Sequence, residues 1–307
     1  MTDVDAQAAE TNIGDLRQQS DLKYQSRSGL RYFLRRFAGE TPLNVLALGI
    51  ITVFIFLSIF GRLLAPYDPI VPDIANKLAP PSAAHWLGTD ELGRDILSRV
   101  LTGTRISLGI ATMILSIAIT AGVLIGAVAG YVGGWVDEVL MRITDIFLAF
   151  PALILAMGIA ASLGRDLKNV IIALTLVYWP WYARLIRGQV LMIRERDFVE
   201  AAHAIGMRPS RVLLRHILPN TMAPIIVQAT VDVGYAVLAT AGLSFIGLGA
   251  QPPSPEWGTM IAGARAYFRV AWWYMTFPGI ALTLTVIGFN LLGDGLRDYF
   301  DPRTRLR

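Results

Sequence analysis

Long stretches without a charged side chain limit most strongly what this chain can fold into. Residues 43–61 carry no Asp, Glu, Lys or Arg, and a run of that length matches the roughly 20 residues a helix needs to cross the hydrocarbon core of a bilayer. Residues 106–136 stay uncharged for longer than one crossing requires. Residues 146–164 and 270–293 each offer another, and 221–248 is interrupted only by Asp232. Residues 169–183 are short for a span and are extended through Leu185 and Ile186, with Arg184 and Arg187 snorkelling to the cytoplasmic interface. Composition agrees: 54% of residues are hydrophobic and 16% charged, with a mean hydropathy of +0.52, a balance that belongs to integral membrane proteins. The expected fold is all-α, with six transmembrane helices.

Between the spans lie segments of different character. Residues 1–42 are a polar tail of mixed charge, expected to be partly disordered at its start. The first apolar run begins only at Leu43, which argues against a cleavable signal peptide, and Arg31, Arg35 and Arg36 just before it read as an inside anchor. Residues 67–103 and 250–269 are expected as outer loops, 194–220 as a charged inner loop and 294–307 as an inner tail. With both termini cytoplasmic, roughly 18 of the 27 Lys and Arg fall inside, as the positive-inside rule prefers. Gly122, Gly126 and Gly130 recur every four residues and predict a face for close helix packing. Pro151 predicts a kink. Trp272, Trp273 and Tyr274 read as an interfacial belt and Trp257 as an interface anchor. No fixed-period repeat is present.

Several chemistries find little support. The net charge of +4 is slight and its arginines are scattered, so no nucleic-acid partner is expected. The chain has no Cys and three widely spaced His, giving no thiolate chemistry and no expected metal site. A phosphate-binding loop requires Gly-Lys followed by Ser or Thr, but Lys23, Lys77 and Lys168 follow Leu22, Asn76 and Leu167. No catalytic residue is expected. A membrane-embedded enzyme would have to pair Asp145 with Asp232, which lie at different expected depths. Asp232 is better read as facing a wet passage or bonding to a neighbouring helix, and Asn290 as interhelical glue; both are candidates for a translocation path. His85, in a polar outer loop, is expected to be solvated, and Asp137, Glu138, Arg142 and Asp145 fit a wet helix end as well as a site. Both outer loops are long enough to receive a docking protein.

The most informative run is residues 194–220. Phe198, Ala201, Ala202 and Ile205 fall at helical spacing and make one apolar face, while Arg194, Glu195, Arg196, Asp197 and Glu200 stay polar. Gly206 suits a helix C-cap and Pro209 the first turn of a second helix. Pro219 interrupts regular hydrogen bonding beyond it. The product is a helix–turn–helix knob. From the pattern alone it fits either a pair of helices resting on anionic lipid headgroups or a protein-docking element.

Glu200, Ala201, Ala202, Gly206 and the Leu218-Pro219 pair resemble the EAA motif of ATP-binding-cassette importer permeases. His216 stands where the general motif has Ile, as is usual in the peptide-transport branch. Residues 88–103 (GTDELGRDILSRVLTG), 250–260 (AQPPSPEWGTM) and 289–302 (FNLLGDGLRDYFDP) are similar to the C-type permease of dipeptide and oligopeptide importers, and the likeness covers nearly everything from Leu43 onward. It implies a type I importer permease fold in a bacterial inner membrane and a heterodimer with a homologous second permease. It also implies two ATPase subunits that hold ATP and Mg, with no cofactor on this chain, and an extracytoplasmic solute-binding protein that delivers peptide. Glu200, Ala201, Ala202, Gly206 and Pro209 would couple the chain to the ATPase. Nickel and glutathione importers use similar permeases. A gradient-driven secondary transporter is the rival reading, predicting uptake by this chain alone.

Overall fold

The structure, a computed structural model, describes residues 37, 39 and 41–300. The polar tail, its Arg31, Arg35 and Arg36 anchor, and the last seven residues lie outside the described residues. The chain divides into two compact units after Leu46. In the first, the Asn44 side-chain amide donates to the Phe37 carbonyl at 2.9 Å.

Helix α1, Pro42–Leu64, covers the first apolar run. Helix α2, Ile96–Val132, begins inside the segment expected to be outer loop through residue 103, because Asp95 caps it by accepting from the Ser98 amide at 2.8 Å. The expected third span is two helices, α3 at Gly134–Leu148 and α4 at Ala152–Leu163, bent by 87°. Pro151 stands at the break; it bars the preceding residue from helical geometry and starts the second helix, so the expected kink is a full corner. Helix α5, Leu167–Arg194, is far longer than the short span predicted and carries Pro180 within it. Then come α6 at Asp197–Ala204 and α7 at Pro209–Phe245, α8 at Trp257–Ala264, and α9 at Trp272–Phe300. The last runs past residue 293 into what was expected as tail. Helices α1, α2, α5, α7 and α9 are each long and apolar enough to cross a membrane, and α3 with α4 qualifies as one broken span. Among the described residues the chain is all-helical, as expected, with five candidate spans, or six if α3 and α4 make one.

The glycine stripe does what its spacing predicts. A Cβ on Gly122 would lie 2.5 Å from the Tyr182 Cβ, one on Gly126 would run into the Ala183 carbonyl, and one on Gly130 would lie 3.0 Å from the Arg187 carbonyl. Helix α2 thus meets α5 backbone to backbone, a contact only small residues permit. Beside it, Arg187 donates from Nε and Nη2 to Asp137 of α3 at 2.6 and 2.7 Å, and Arg184 pairs with Asp145. These two arginines tie α5 to α3 through Asp137 and Asp145, while Glu138 of α3 pairs with Arg142 of the same helix.

The outer segments fold into a cap. Asp90 holds Arg94 at 2.6 Å and lies 3.4 Å from Arg99, whose Nη1 donates to the Pro69 carbonyl at 2.7 Å; all three side chains are buried. His85 is buried rather than solvated: its Nδ1 lies 3.1 Å from Asp95, which also accepts from the Ser98 hydroxyl at 2.7 Å. Trp257 is core, not an interface anchor. It sits edge-on to Phe54 and donates from Nε1 to the Val100 carbonyl at 3.2 Å. The predicted aromatic belt reduces to Trp272, since Trp273 is buried and donates to the Thr89 carbonyl at 3.2 Å, and Tyr274 is buried as well. These rings face inward because the cap supplies carbonyls that satisfy their polar atoms. Glu256 caps α8, accepting from the Gly258 and Thr259 amides at 2.9 Å each.

Two outcomes follow. Gly126→Leu forces overpacking worth about 1–3 kcal/mol, so the detergent-solubilised protein should melt lower than wild type. Gly109→Leu, at a position with open space, should not; equal melting of the two variants would contradict the packing. Burial raises the Glu256 carboxyl above its usual range, against the bonds from Gly258 and Thr259 that lower it. A raised carboxylate pKa means the folded chain holds the proton more tightly than the unfolded one. The resulting stabilisation is full below the unfolded value near about 4.3 and is lost as pH rises toward the folded value. The Tm of wild type minus that of Glu256→Gln should therefore fall as pH rises above about 4; a flat or rising difference would contradict it.

Candidate functional site

Helix α6 ends in a Schellman arrangement: the Met207 amide donates to the Ala202 carbonyl at 3.1 Å and the Gly206 amide to the His203 carbonyl at 2.9 Å, with Gly206 at φ +74°. Asp197 and Glu200 occupy its first turn, where the helix dipole favours negative charge. Pro209 is the first residue of α7, whose opening turn is set by the Arg211 and Val212 amides donating to the Arg208 carbonyl. The two helices and tight turn form as the residue pattern predicts.

Of the apolar face named from the sequence, only Ala202 is buried within the chain. Val199 and Ala202 point inward and pack with Val212, Ile217, Ile186, Val190 and Ile193, which seats the knob on the end of α5. Phe198, Ala201 and Ile205 are exposed, Phe198 at 45% and Ile205 at 78%. Residues 198, 201 and 205 share one helical face, so α6 carries a second apolar strip that nothing among the described residues covers. Exposed Glu200, His203, Gly206, Arg208 and Pro209 surround it. Of the five coupling candidates, Glu200, Ala201, Gly206 and Pro209 are thus on the outer surface, and Ala202 anchors the knob from within.

Beyond Pro209, helix α7 runs to Phe245 without interruption. Pro219 cannot donate a backbone hydrogen bond, and the turn before it, Leu213–Ile217, widens to π-helix instead of breaking. The Asn220 side-chain amide donates to the His216 carbonyl at 2.6 Å.

Farther along α7, Asp232 is 6% exposed. Its Oδ2 accepts from the Tyr182 hydroxyl of α5 at 2.6 Å and its Oδ1 from the Gln228 side chain at 3.0 Å. The carboxylate lines a cavity of about 620 Å³ bounded by α5, α7 and the corner between α3 and α4, together with Gln228, Tyr178, Trp181 and Tyr235. Asp232 therefore bonds to a neighbouring helix, as expected, and lines this cavity. Asp145 is engaged with Arg184. Asn290 is not among the cavity-lining residues, and its buried Oδ1 has no hydrogen-bond partner among the described residues. Tyr182, Tyr178 and Trp181 were not singled out from the sequence, where they read as ordinary residues of a span. Gln228 was legible, one helical turn before Asp232.

Residues 122–306 match the family model for the binding-protein-dependent transport system inner membrane component, and residues 28–81 match that for the N-terminal transmembrane domain of oligopeptide transport permease C. The chain belongs to this family of inner membrane transport components. Among its relatives, the permease is 47% identical over 263 residues to the probable D,D-dipeptide transport system permease protein DdpC of Escherichia coli K12, covering 86% of this chain and 88% of that one. It is 46% identical to the dipeptide transport system permease protein DppC of Alkalihalophilus pseudofirmus, over 87% of this chain and 88% of that one. It is 44% identical to the nickel transport system permease protein NikC of E. coli K12, over 84% and 93%. A chain of the MetNI methionine ABC transporter, solved in inward-facing conformations, superposes with a TM-score of 0.54 at 19% identity, over 66% of the permease and 97% of that chain. The permease therefore has the type I ABC importer fold, and it is a multi-pass protein of the bacterial inner membrane. As such it works with ATPase subunits and a substrate-binding protein.

Proposed function

We propose that the permease is one of two homologous membrane halves of an importer that moves di- and oligopeptides into the cell. Two ATPase subunits, which hold ATP and Mg, dock on the α6 knob, and an extracytoplasmic binding protein delivers cargo to the outer side. Both termini and the knob are then cytoplasmic, the permease domain spans residues 43–293, and the chain itself performs no catalysis. The peptide assignment rests on the dipeptide relatives and on the oligopeptide permease match over residues 28–81. Relatives named for nickel and for glutathione transport are nearly as similar, which makes those cargoes the alternative.

The observation that carries coupling is the uncovered strip of Phe198, Ala201 and Ile205 on a helix whose opposite face is locked into the membrane domain. A small apolar patch rimmed by polar side chains is what a protein interface requires. A push on it reaches the membrane interior directly, because α7 starts at the knob and carries Asp232 on the same helix. At about 1.5 Å per residue this helix is on the order of 55 Å long. Alternating access then consists of ATP-driven closure of the ATPases, displacement of the knobs and reorientation of α7 about the path that Asp232 on α7 and Asn290 on α9 would line.

Ile205→Asp, Glu200→Arg and Gly206→Val each alter the knob without touching its buried face. Gly206→Val also places a β-branched residue at positive φ. In the assembled complex, peptide uptake and peptide-stimulated ATP turnover should fall at least about tenfold, as expected for residues central to an interface, with unchanged amounts of permease in the membrane. Wild-type rates in all three would overturn the assignment.

A further inference from the structure

Asp232 is a buried carboxylate without a cation. Among the described residues no Lys, Arg or His pairs with it; its two oxygens accept one hydrogen bond each, from Tyr182 and Gln228. A carboxylate can accept about four, so half of its capacity faces the cavity. An ionised group in this position is costly unless a compensating charge completes it. It lies 13 residues from Phe245, the end of α7, and 14 from Leu218, where the purely α-helical part of α7 begins, so about 20 Å from each. Neither lipid headgroups nor interfacial lysines reach that depth.

The rest of the cavity defines what would fit. Its volume of about 620 Å³ is that of a small-molecule site. Its walls are mainly leucine and alanine, with Tyr178, Trp181 and Tyr235 on the same lining. Aromatic faces attract cations, and apolar walls accept side chains of many shapes. One anion in an aromatic and apolar chamber has the chemistry to hold a primary ammonium while leaving the remainder of its bearer loosely specified.

We infer that Asp232 and its cavity form a transit subsite for the α-ammonium group of the cargo, with Tyr182 and Gln228 holding the carboxylate in place and Tyr178, Trp181 and Tyr235 flanking the cation. This rests on the peptide-importer reading above. The subsite recognises a group that unmodified peptides share whatever their side chains, and so operates independently of their sequence. Its position on α7 links occupancy to the knob at the start of the same helix.

The test uses the complete importer in nanodiscs without its binding protein, titrated with dialanine and with N-acetyl-dialanine and read by saturation-transfer NMR. The free amine should bind at least about tenfold more tightly, in keeping with a charge-assisted hydrogen bond in a buried site. That preference should vanish in Asp232→Asn and persist in Asp232→Glu. Equal binding of the two compounds to the wild type would overturn the subsite. A preference retained in Asp232→Asn would overturn it too. Because a neutral replacement can fail to assemble, the wild-type comparison is decisive alone. ATP-driven peptide uptake by the same importer, reconstituted in sealed vesicles with its binding protein, separates the two levels: no amine preference with uptake intact overturns only the subsite, whereas no uptake overturns the peptide reading from which it was drawn.

Discussion

The backbone contact between α2 and α5 is what the other functional contacts of this permease depend on. Gly122 faces the Tyr182 Cβ, Gly126 the Ala183 carbonyl and Gly130 the Arg187 carbonyl. At the same register Tyr182 reaches Asp232, Arg187 reaches Asp137, and Arg194 donates to the Gly130 carbonyl at 2.9 Å. In lipid the hydrophobic effect does not drive helices together, so close packing and satisfied polar groups must do so. A single side chain on the glycine face would separate the helices and displace each of these pairs. The knob shares this dependence, since Val199 and Ala202 rest against Ile186, Val190 and Ile193 near the end of α5.

From that seat, the two ends of the domain are handled differently. At one end, the segments expected as outer loops pack into a cap. Asp90 organises Arg94 and Arg99, Trp257 and Trp273 bond to carbonyls of residues 100 and 89, and His85 leans on Asp95. These contacts give a physical reason for the residues of GTDELGRD and PPSPEWG, which meet in one cluster. At the other end the chain exposes a short helix with apolar residues on both faces, one packed and one open. Helix α7 joins that helix to the cavity, and its π-helical turn absorbs Pro219 without a break.

Much of this was legible in the sequence. Uncharged runs located the spans, Gly122, Gly126 and Gly130 located the tight helix pair, and Gly206 with Pro209 located the turn of the knob. What escaped has physical causes. Periodicity marks which residues share a face but not which of them pack against the domain, so Phe198, Ala201, Ala202 and Ile205 were read as one face and Val199, which packs inward beside Ala202, was not singled out. Burial of His85, Trp257, Trp273 and Tyr274 depends on carbonyls and carboxylates brought from distant segments, which no local pattern reveals. Helix ends beyond the apolar core were underestimated at Ile96 and Phe300, because charged residues continue a helix as readily as they end a hydrophobic run. Tyr182 had no distinguishing mark, since its role arises only from the register between α5 and α7.

The central claim is that the open face of α6 is an ATPase contact rather than a lipid-resting surface. The most direct measurement is photo-crosslinking in native membranes with a photoreactive residue in place of Ile205, and in place of buried Val199 as the control. The account predicts a protein adduct from position 205 whose mass spectrum identifies a phosphate-loop ATPase, and none from position 199. Adducts from position 205 with lipid alone would contradict it.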